Sequence, residues 1–294
     1  MSFERFIGVD WSGARGPSLP GLQAAVCVTG TAPPTLVSDP TPGRVNWRRD
    51  NLQAWITERL AEDRPTLVGL DFAFAYPYCD QGAYFPGVVN GPAEPAALWA
   101  EIDRLCQDGP GLYGGPFYST PRATYASYLR YQTYTGDCFE ERFRETEYEC
   151  QHTYHTRPAC VFVCVGGNSV GIGSIAGMRL LHHICQPDAR TLAIWPFQDR
   201  KEEAHTVVEI FPRLFYIQSE HTPNCWSNRE ELNSVLQHYH GDPLPPDVAV
   251  DTEDKADAIV SAAALRFYAG NQARWAPEAM SKCAGKHEGW IFGA

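Results

Sequence analysis

The sequence predicts an α/β protein with a mixed sheet flanked by helices. Short apolar runs at residues 6–11 and 66–71 each contain an aspartate near the end, which is typical of buried strands that reach the edge of a sheet. Helical patterns alternate with such runs along the 294 residues. Strands interleaved with helices favour an α/β layout.

Bulk composition excludes several classes of protein. The chain is 44% hydrophobic and 20% charged, with a formal net charge of −11. An acidic excess argues against a broad grip on nucleic acid, although it is compatible with a local basic groove. No apolar run reaches the roughly 18 residues of a membrane span, and the first residues lack a signal-peptide pattern. We therefore expect a cytoplasmic protein outside the membrane, and its oligomeric state stays open.

The first part of the chain predicts three strands, a helix and a further strand. The predicted strands lie at 6–11, 22–28, 35–38 and 66–71, and the predicted helix lies at 51–62. Prolines and glycines separate the early strands, which we expect to be antiparallel. Asn51 is a plausible N-cap of the helix, because apolar residues at helical spacing follow it.

The middle of the chain, residues 78–165, is rich in aromatics, cysteines, glycine and proline. We interpret it as a large insertion within a single domain of residues 1–294. Residues 121–134 carry four tyrosines at three-residue spacing, with Arg122 and Arg130 among them, and a helix would place these near one face. Such a face could clamp single-stranded nucleic acid, but packing of the tyrosines on the sheet is the favoured interpretation.

The remaining elements follow the same patterns. Strands are predicted at 161–165, 192–195 and 207–211, and helices at 95–106, 175–185, 229–240 and 257–267. A glycine-rich turn at 166–174 could bind an anion at the helix start, but no GxxxxGK[ST] motif is present and simple loop geometry is favoured. We expect the tail with Trp275, Trp290 and Phe292 to dock on the body.

The chain has ten cysteines. Without a secretion signal, reduced thiols are the default. Side chains with zinc-ligand chemistry cluster in the sequence at Cys150, His152, His155 and Cys160. Their spacing matches no standard zinc module, so buried free thiols are favoured and the zinc alternative stays open.

Acidic residues stand in apolar surroundings at four places. They are Asp10, Asp71, Glu209 and the pair Asp254 and Asp257. Buried carboxylates are costly unless they are paired, protonated or bound to a cation. The last two lie one helical turn apart and can face the same way, although Asp254 also suits a helix cap. Strand ends form the usual site of an α/β sheet, and carboxylates suit Mg²⁺ or Mn²⁺.

These acids lie in four motifs that resemble a known family. GVDWSG at 8–13, GLD at 69–71 with Pro77, VEIFP at 208–212 and DKADA at 254–258 look like the family catalogued as domain of unknown function 429, in order and over nearly the whole chain. The resemblance implies a nuclease with an RNase H-like fold. Its first strand would carry Asp10, and Asp71 would end the fourth strand. The Asp-x-x-Asp pair is similar to that of Holliday-junction resolvases. Residues 78–165 do not align.

We therefore predict a metal-dependent nuclease or phosphodiesterase that acts on nucleic acid or another phosphodiester. The predicted catalytic residues are Asp10, Asp71, Glu209 and Asp257. The predicted ligands of Mg²⁺ or Mn²⁺ are Asp10, Asp71, Asp254 and Asp257. Candidate substrate contacts are Ser12, Arg122 and Arg130, together with the Arg48–Arg49 pair.

Two other functions stay open. The first is an ATP-binding phosphotransferase similar to actin or sugar kinases, whose phosphate loop would be residues 166–174. The segment after Asp71 lacks the Asp-x-Gly turn expected for that class. The second is a non-catalytic binding or scaffold protein. The sequence does not distinguish DNA, RNA and small phosphodiesters as substrates.

Overall fold

A computed structural model describes residues 3–119, 124–166, 169–185, 192–201 and 204–294. The strands are β1 (Arg5–Asp10), β2 (Gln23–Val28), β3 (Thr35–Val37), β4 (Thr66–Leu70), β5 (Arg130–Tyr131), β6 (Tyr134–Thr135), β7 (Val163–Val165), β8 (Leu192–Ile194) and β9 (His205–Glu209). The α-helices are α1 (Arg49–Leu60), α2 (Pro95–Leu105), α3 (Pro116–Ser119), α4 (Glu145–Tyr154), α5 (Gly171–Ile184), α6 (Pro212–Gln218), α7 (Arg229–His238), α8 (Glu253–Tyr268) and α9 (Gln272–Trp275).

The main sheet is mixed and has six strands in the order β3-β2-β1-β4-β9-β8. Strands β1, β2 and β3 pair antiparallel, as predicted, whereas β1, β4, β9 and β8 run parallel to one another. Apolar clusters cover both faces of this sheet. The predicted α/β class with a mixed sheet between helices is therefore confirmed. A second, small sheet has the order β6-β5-β7.

Strand alternation divides β1 between the two faces of the sheet. Ile7 and Val9 pack on the face that carries α2 and α5, and Phe6 packs on the opposite face with α8. Gly8 also faces α8. A Cβ atom at Gly8 would lie 2.5 Å from the carbonyl oxygen of Ala258 and 2.6 Å from the amide nitrogen of Ala262. The missing side chain thus lets α8 approach the strand closely, and this brings the acidic start of α8 to the end of β1.

Several helix boundaries differ from the prediction. Helix α1 begins at Arg49, so Asn51 lies inside its first turn. The side-chain Nδ2 of Asn51 donates to Asp39 Oδ2 at 2.8 Å. Helix α8 begins at Glu253 and is capped by Thr252, whose Oγ1 accepts from the Lys255 amide at 3.3 Å. Helices α4 and α6 were not predicted. No helix in the described parts of the chain is long and apolar enough to cross a membrane.

The helix predicted over 121–134 is wrong for its described part, residues 124–134. This segment forms a 3-10 turn over 126–128 and then the hairpin of β5 and β6, with Gln132 at φ 52° in the turn. Pairing of β5 with β7 holds the segment extended. Tyr125 and Tyr128 are buried in the core, as the packing interpretation predicted.

Residues of the 78–165 segment join the core that backs the main sheet. Trp99, Phe117 and Phe162 are buried in the same apolar cluster as Ile7 of β1. The aromatic tail also docks, since Trp290 and Phe292 are buried. The segment therefore contributes to the packing around the central strands.

One disulfide joins two parts of the chain that are far apart in sequence. Cys79 and Cys283 are bonded, with 5.8 Å between their Cα atoms and a sequence separation of 204 residues. The prediction of reduced thiols is wrong for this pair. The fold brings the loop after β4 against the C-terminal segment, and no spacing motif records that approach. Disulfides are rare in the cytosol, so this bond weighs against the expected cytoplasmic location.

We predict that Gly8→Ala destabilises the protein by about 1–3 kcal/mol, because a new methyl group would push α8 away from β1. Urea unfolding measures the change. Gly270→Ala is the matched control, since a Cβ there meets nothing within 4 Å, and it should stay within about 0.5 kcal/mol of the parent. Equal stabilities for the two variants would contradict the close helix–strand contact.

Candidate functional site

Four aspartates from distant parts of the chain meet at the carboxyl end of the central strands. Asp10 ends β1, Asp71 directly follows β4, and Asp254 and Asp257 lie on α8. The register pairs Val9 with Leu70, and the Asp71 amide donates to the Val9 carbonyl at 3.1 Å. The next residue of each strand is an aspartate. By alternation both face α8, so the structure brings together the four residues predicted as metal ligands.

The electrostatics of this group follow from burial and mutual repulsion. Burial raises the pKa of Asp10 well above its ordinary value, and the charges of Asp71, Asp257 and Asp254 raise it further. The pKa of Asp71 rises for the same reasons, chiefly burial and then the charges of Asp257 and Glu209, although a hydrogen bond with Asp10 offsets part of the rise. No lysine or arginine of the described chain is among the main causes of either shift.

Asp257 occupies the α8 side of the group. Burial is the largest cause that raises its pKa to about 7, and Glu253 and Asp254 add to the rise while the Tyr216 hydroxyl opposes it. Asp257 Oδ1 and the Tyr216 hydroxyl are both buried, and neither has a hydrogen bond of ordinary geometry to the described residues. An uncompensated carboxylate oxygen of this kind has the chemistry of a cation ligand.

The chemistry of the four carboxyl groups fits a hard cation, but their present geometry does not. Four carboxyl groups supply only oxygen ligands, which is the preference of Mg²⁺ and Mn²⁺. Within the described ranges, however, no group of three or more His, Cys, Asp or Glu side chains is arranged to hold a metal ion. A bound cation would therefore require side-chain rotation within the aspartate group.

Glu209 lies next to this group but belongs to a different one. It pairs in register with Leu70, one residue before Asp71, and therefore faces away from α8. Its Oε1 accepts from Arg144 at 2.6 Å, and its Oε2 accepts from Arg144 at 2.7 Å and from the Phe74 amide at 3.0 Å. Glu209 is thus held in a buried ion pair while it also lines the cleft beside Asp71, and its catalytic role stays a prediction.

Arg144 is the centre of that second group. Its side chain is 1% exposed and also donates to Glu147 Oε1 at 3.0 Å and to the Glu288 carbonyl at 3.1 Å. Burial lowers the pKa of Arg144, but the carboxylates of Glu209 and Glu147 outweigh this effect, so the pKa is raised above its ordinary value. Two carboxylates thus neutralise this arginine, and its charge is not available to the aspartates.

A cleft of about 740 Å³ opens over the acids. Asp71 and Asp257 line it, together with two exposed arginines, Arg15 and Arg213. Sequence analysis missed both arginines, because Arg15 lies in a Gly-rich loop and Arg213 in a helix that was not predicted. The available signal was the pair Pro212-Arg213 directly after the VEIF segment, because a proline often begins a helix.

The predicted substrate contacts are dispersed. Ser12 Oγ accepts from the Ala14 amide at 3.3 Å, which is a local turn contact. Arg130 pairs with Glu141 at 3.2 Å. Arg122 lies outside the described residues.

The Arg48–Arg49 pair divides into two roles. Arg48 pairs with Asp50, with a closest distance of 2.5 Å. Arg49 is buried and donates to the carbonyls of Ser12, Ala14 and Gly111. Burial lowers the pKa of Arg49 to about 10, and its contacts fix the loop that carries Arg15.

Residues 167–168 of the glycine-rich turn lie outside the described residues. In the rest of the turn and in α5, two glycines have a packing role. A Cβ at Gly171 would lie 2.4 Å from the Val161 carbonyl oxygen, and one at Gly177 would lie 2.4 Å from the Phe72 ring. These glycines let α5 approach its neighbours. The contacts explain them without a bound phosphate, and the phosphotransferase alternative gains no support.

The cysteines outside the disulfide are free thiols within the described chain. Cys150 and Cys160, two of the possible zinc ligands, are buried, whereas His152 and His155 are exposed. Burial raises the pKa of Cys150 to about 12 and that of Cys160 to about 11. Protonated, dispersed side chains of this kind fit the packing role that the sequence favoured.

Comparison of the chain with models of protein families, with curated proteins and with solved structures found no match in any of the three. The proposal of a function therefore depends on the geometry of the aspartate group and on the motifs of the sequence.

We predict that Arg144→Met lowers the free energy of unfolding by about 3–5 kcal/mol, because it leaves Glu209 and Glu147 buried without their partner. Adding Glu209→Gln to Arg144→Met should recover part of that loss. Urea unfolding of the parent, both single variants and the double variant gives the coupling energy, which should be at least about 1 kcal/mol. Additive effects would show that the ion pair contributes nothing.

A second prediction concerns pH. The raised pKa of Asp257, about 7, lies above the value of about 3.9 in an unfolded chain. The folded protein then binds more protons between these values, so without divalent cations its stability should fall as the pH rises from about 4 to 7. Asp257→Asn should flatten this fall and stabilise the metal-free protein at pH 8 by about 1–3 kcal/mol.

Unfolding in a chelator at several pH values measures this dependence. Asp251→Asn is the control, because Asp251 is exposed and pairs with Lys255 at 2.6 Å. It removes one negative charge from the same segment, yet it should leave the fall with pH in place. A parent protein whose stability rises through this pH range would contradict the uncompensated aspartate group.

Proposed function

We propose that the protein hydrolyses phosphodiester bonds at the aspartate group with the help of Mg²⁺ or Mn²⁺. The observation that carries the proposal is the meeting of Asp10, Asp71, Asp254 and Asp257, whose mutual repulsion no basic side chain of the described chain relieves. Structural carboxylates are normally paired, as Glu209 is with Arg144. Acids left uncompensated beside a cleft are typical of a functional site.

The proposal includes membership of the family of domain of unknown function 429 and an RNase H-like core. Two features support it. Asp10 lies in the first strand and Asp71 directly after the fourth, which are the positions that the resemblance implies. Asp254 and Asp257 lie in the last long helix and face the same two acids.

In this proposal the side chains of the protein have two tasks. Asp10, Asp71 and Asp257 would hold the cation, with Asp254 beside them. When bound, a divalent cation supplies positive charge that stabilises the phosphate oxygens in the transition state. Arg15 and Arg213 would orient the phosphate from the rim of the cleft. The oxygen of a water molecule then forms a bond to phosphorus and gives up one proton, while the bond to the leaving oxygen breaks and that oxygen takes up one proton.

We predict that saturating Mn²⁺ raises the melting temperature by about 5 °C at pH 8, because only the folded protein assembles the acids. Asp10→Asn and Asp71→Asn should lose this rise and should also lose hydrolysis of bis(p-nitrophenyl) phosphate and of oligonucleotides. The exposed Asp247→Asn is the control and should keep both properties.

The same titration separates the alternatives. A rise caused by ATP alone would favour the phosphotransferase, and no rise with either ligand would favour a scaffold protein. An Mn²⁺ response that survives Asp10→Asn would place the cation elsewhere and overturn the proposed site.

A further inference from the structure

The acid cleft is the middle of a longer groove. On one side a second cavity of about 700 Å³ shares Arg15, Tyr113 and Tyr118 with the cleft. On the other side a third cavity of about 730 Å³ shares Pro158, Phe211 and other residues with it. Each outer cavity therefore shares part of its wall with the cleft, and a chain-like ligand can extend from the cleft into either one. We call the two outer cavities the Arg15 arm and the Arg213 arm.

Both arms are positive in a protein whose net charge is −11. The Arg15 arm is lined by Arg15, Arg48 and Arg49 against one acid, Asp108. The Arg213 arm is lined by three arginines, Arg130, Arg157 and Arg213, against Glu141. Charge of this sign on both sides of a carboxylate group suits a polyanion that extends beyond the reacting phosphate in both directions.

Most of these arginines keep their charge available. Arg15, Arg157 and Arg213 are exposed, and none of them has an ion pair with another described residue. Arg49 is buried but donates only to carbonyl oxygens, so no carboxylate neutralises it. The positive potential of the groove therefore does not depend on breaking salt bridges, apart from those of Arg48 and Arg130.

Aromatic rings accompany the arginines in each arm. The Arg15 guanidinium lies 5.8 Å from the centroid of the Tyr113 ring. In the Arg213 arm, the Arg157 guanidinium lies 3.9 Å from the centroid of Phe143. Phe211 also lines that arm. Interleaved arginines and rings bind phosphates and stack unpaired bases at the same time.

The tyrosines of the Arg15 arm continue to the surface. Tyr118 and Tyr131 line the arm, with ring centroids 4.8 Å apart. The Tyr134 ring lies 4.7 Å from that of Tyr131 at an angle of 32°, and 42% of Tyr134 is exposed. A base leaving the groove can extend this series of rings. Duplex bases are already stacked and paired, so they cannot use these rings without being separated.

We propose, on the basis of the proposed phosphodiester hydrolysis, that the substrate is single-stranded nucleic acid held along the whole groove and cut internally. The position of the acids agrees with a single strand, since Asp71 and Asp257 line the cleft, half-buried, and Asp10 is buried beneath it; a strand enters a cleft that a duplex would have to deform to reach. Because two cavities adjoin the cleft, a strand can extend from the acids into both, so it needs no free end near them.

Binding is tested apart from cleavage in Asp71→Asn protein. Fluorescence anisotropy is measured with labelled DNA and RNA strands of about 20 nucleotides and with the matching duplex. We expect single strands to bind at least about 10-fold more tightly than the duplex. A circular single strand should compete as well as the linear strand of the same length. A preference for duplex, or competition by linear strands alone, would overturn the proposal.

One double variant tests each arm. Arg15→Ala/Arg48→Ala and Arg157→Ala/Arg213→Ala should each weaken single-strand binding at least about 5-fold and lower its salt slope by about 1.4. Arg64→Ala/Arg104→Ala removes the same charge from two arginines that line none of the three cavities and pair with Glu4 and Glu101, and it should leave binding unchanged.

The outcomes distinguish the two proposals. Equal binding by the arm variants and the control would reject the groove, whether or not the protein hydrolyses phosphodiesters. Groove-dependent binding without hydrolysis by the parent protein would reject the proposed hydrolysis and leave the groove as a single-strand binding site. Hydrolysis of bis(p-nitrophenyl) phosphate without groove-dependent strand binding would support the proposed hydrolysis and reject the groove as a single-strand binding site.

Discussion

The contact between α8 and β1 is the constraint on which the candidate site depends. Gly8 has no side chain, so the backbone of α8 lies against the strand at Ala258 and Ala262. This contact is apolar and tight, and it fixes where the first turns of α8 lie. The cost is electrostatic, because Asp254 and Asp257 are held beside Asp10 and Asp71 in a region that solvates charge poorly. Packing stabilises the fold and, at the same time, assembles a group of acids that repel one another.

Alternation of side chains along the strands separates the four aspartates from the neutralised group of Glu209 and Arg144. We call the face to which a strand residue points its strand parity. Glu209 ends β9 in register with Leu70, whereas Asp71 follows Leu70 by one residue. A shift of one residue reverses the face to which a side chain points. Glu209 therefore meets Arg144, and the aspartates meet only each other. Two neighbouring sets of carboxylates thus have opposite characters. One is a buried ion-pair network that holds α4 and the tail, and in the other the aspartates raise one another's pKa.

Strand parity also marks the limit of what the sequence could predict. The short apolar runs, their order and the meeting of Asp10, Asp71 and the α8 pair follow from local patterns. The separation of Glu209 required the register of β9 against β4, which depends on packing across the sheet. The partner of Glu209, Arg144, lies in a polar helix start without amphipathic signal. The Cys79–Cys283 bond and the position of Arg15 likewise depend on contacts between segments that are distant in the chain.

An acidic protein with an acidic cleft meets a difficulty if its ligand is a polyanion, and the arrangement of charge along the groove resolves it. The acids are confined to the recessed centre, where a divalent cation would reverse the local sign. Arg15 and Arg213 lie where the arms meet the cleft, and the other arginines lie in the arms, so most of the attraction acts on the flanking phosphates. Rings beside Arg15 and Arg157 add stacking that salt does not screen. Affinity would then come mainly from the arms and chemistry from the aspartates at the centre, whereas Arg15 and Arg213, which line both, would contribute to each.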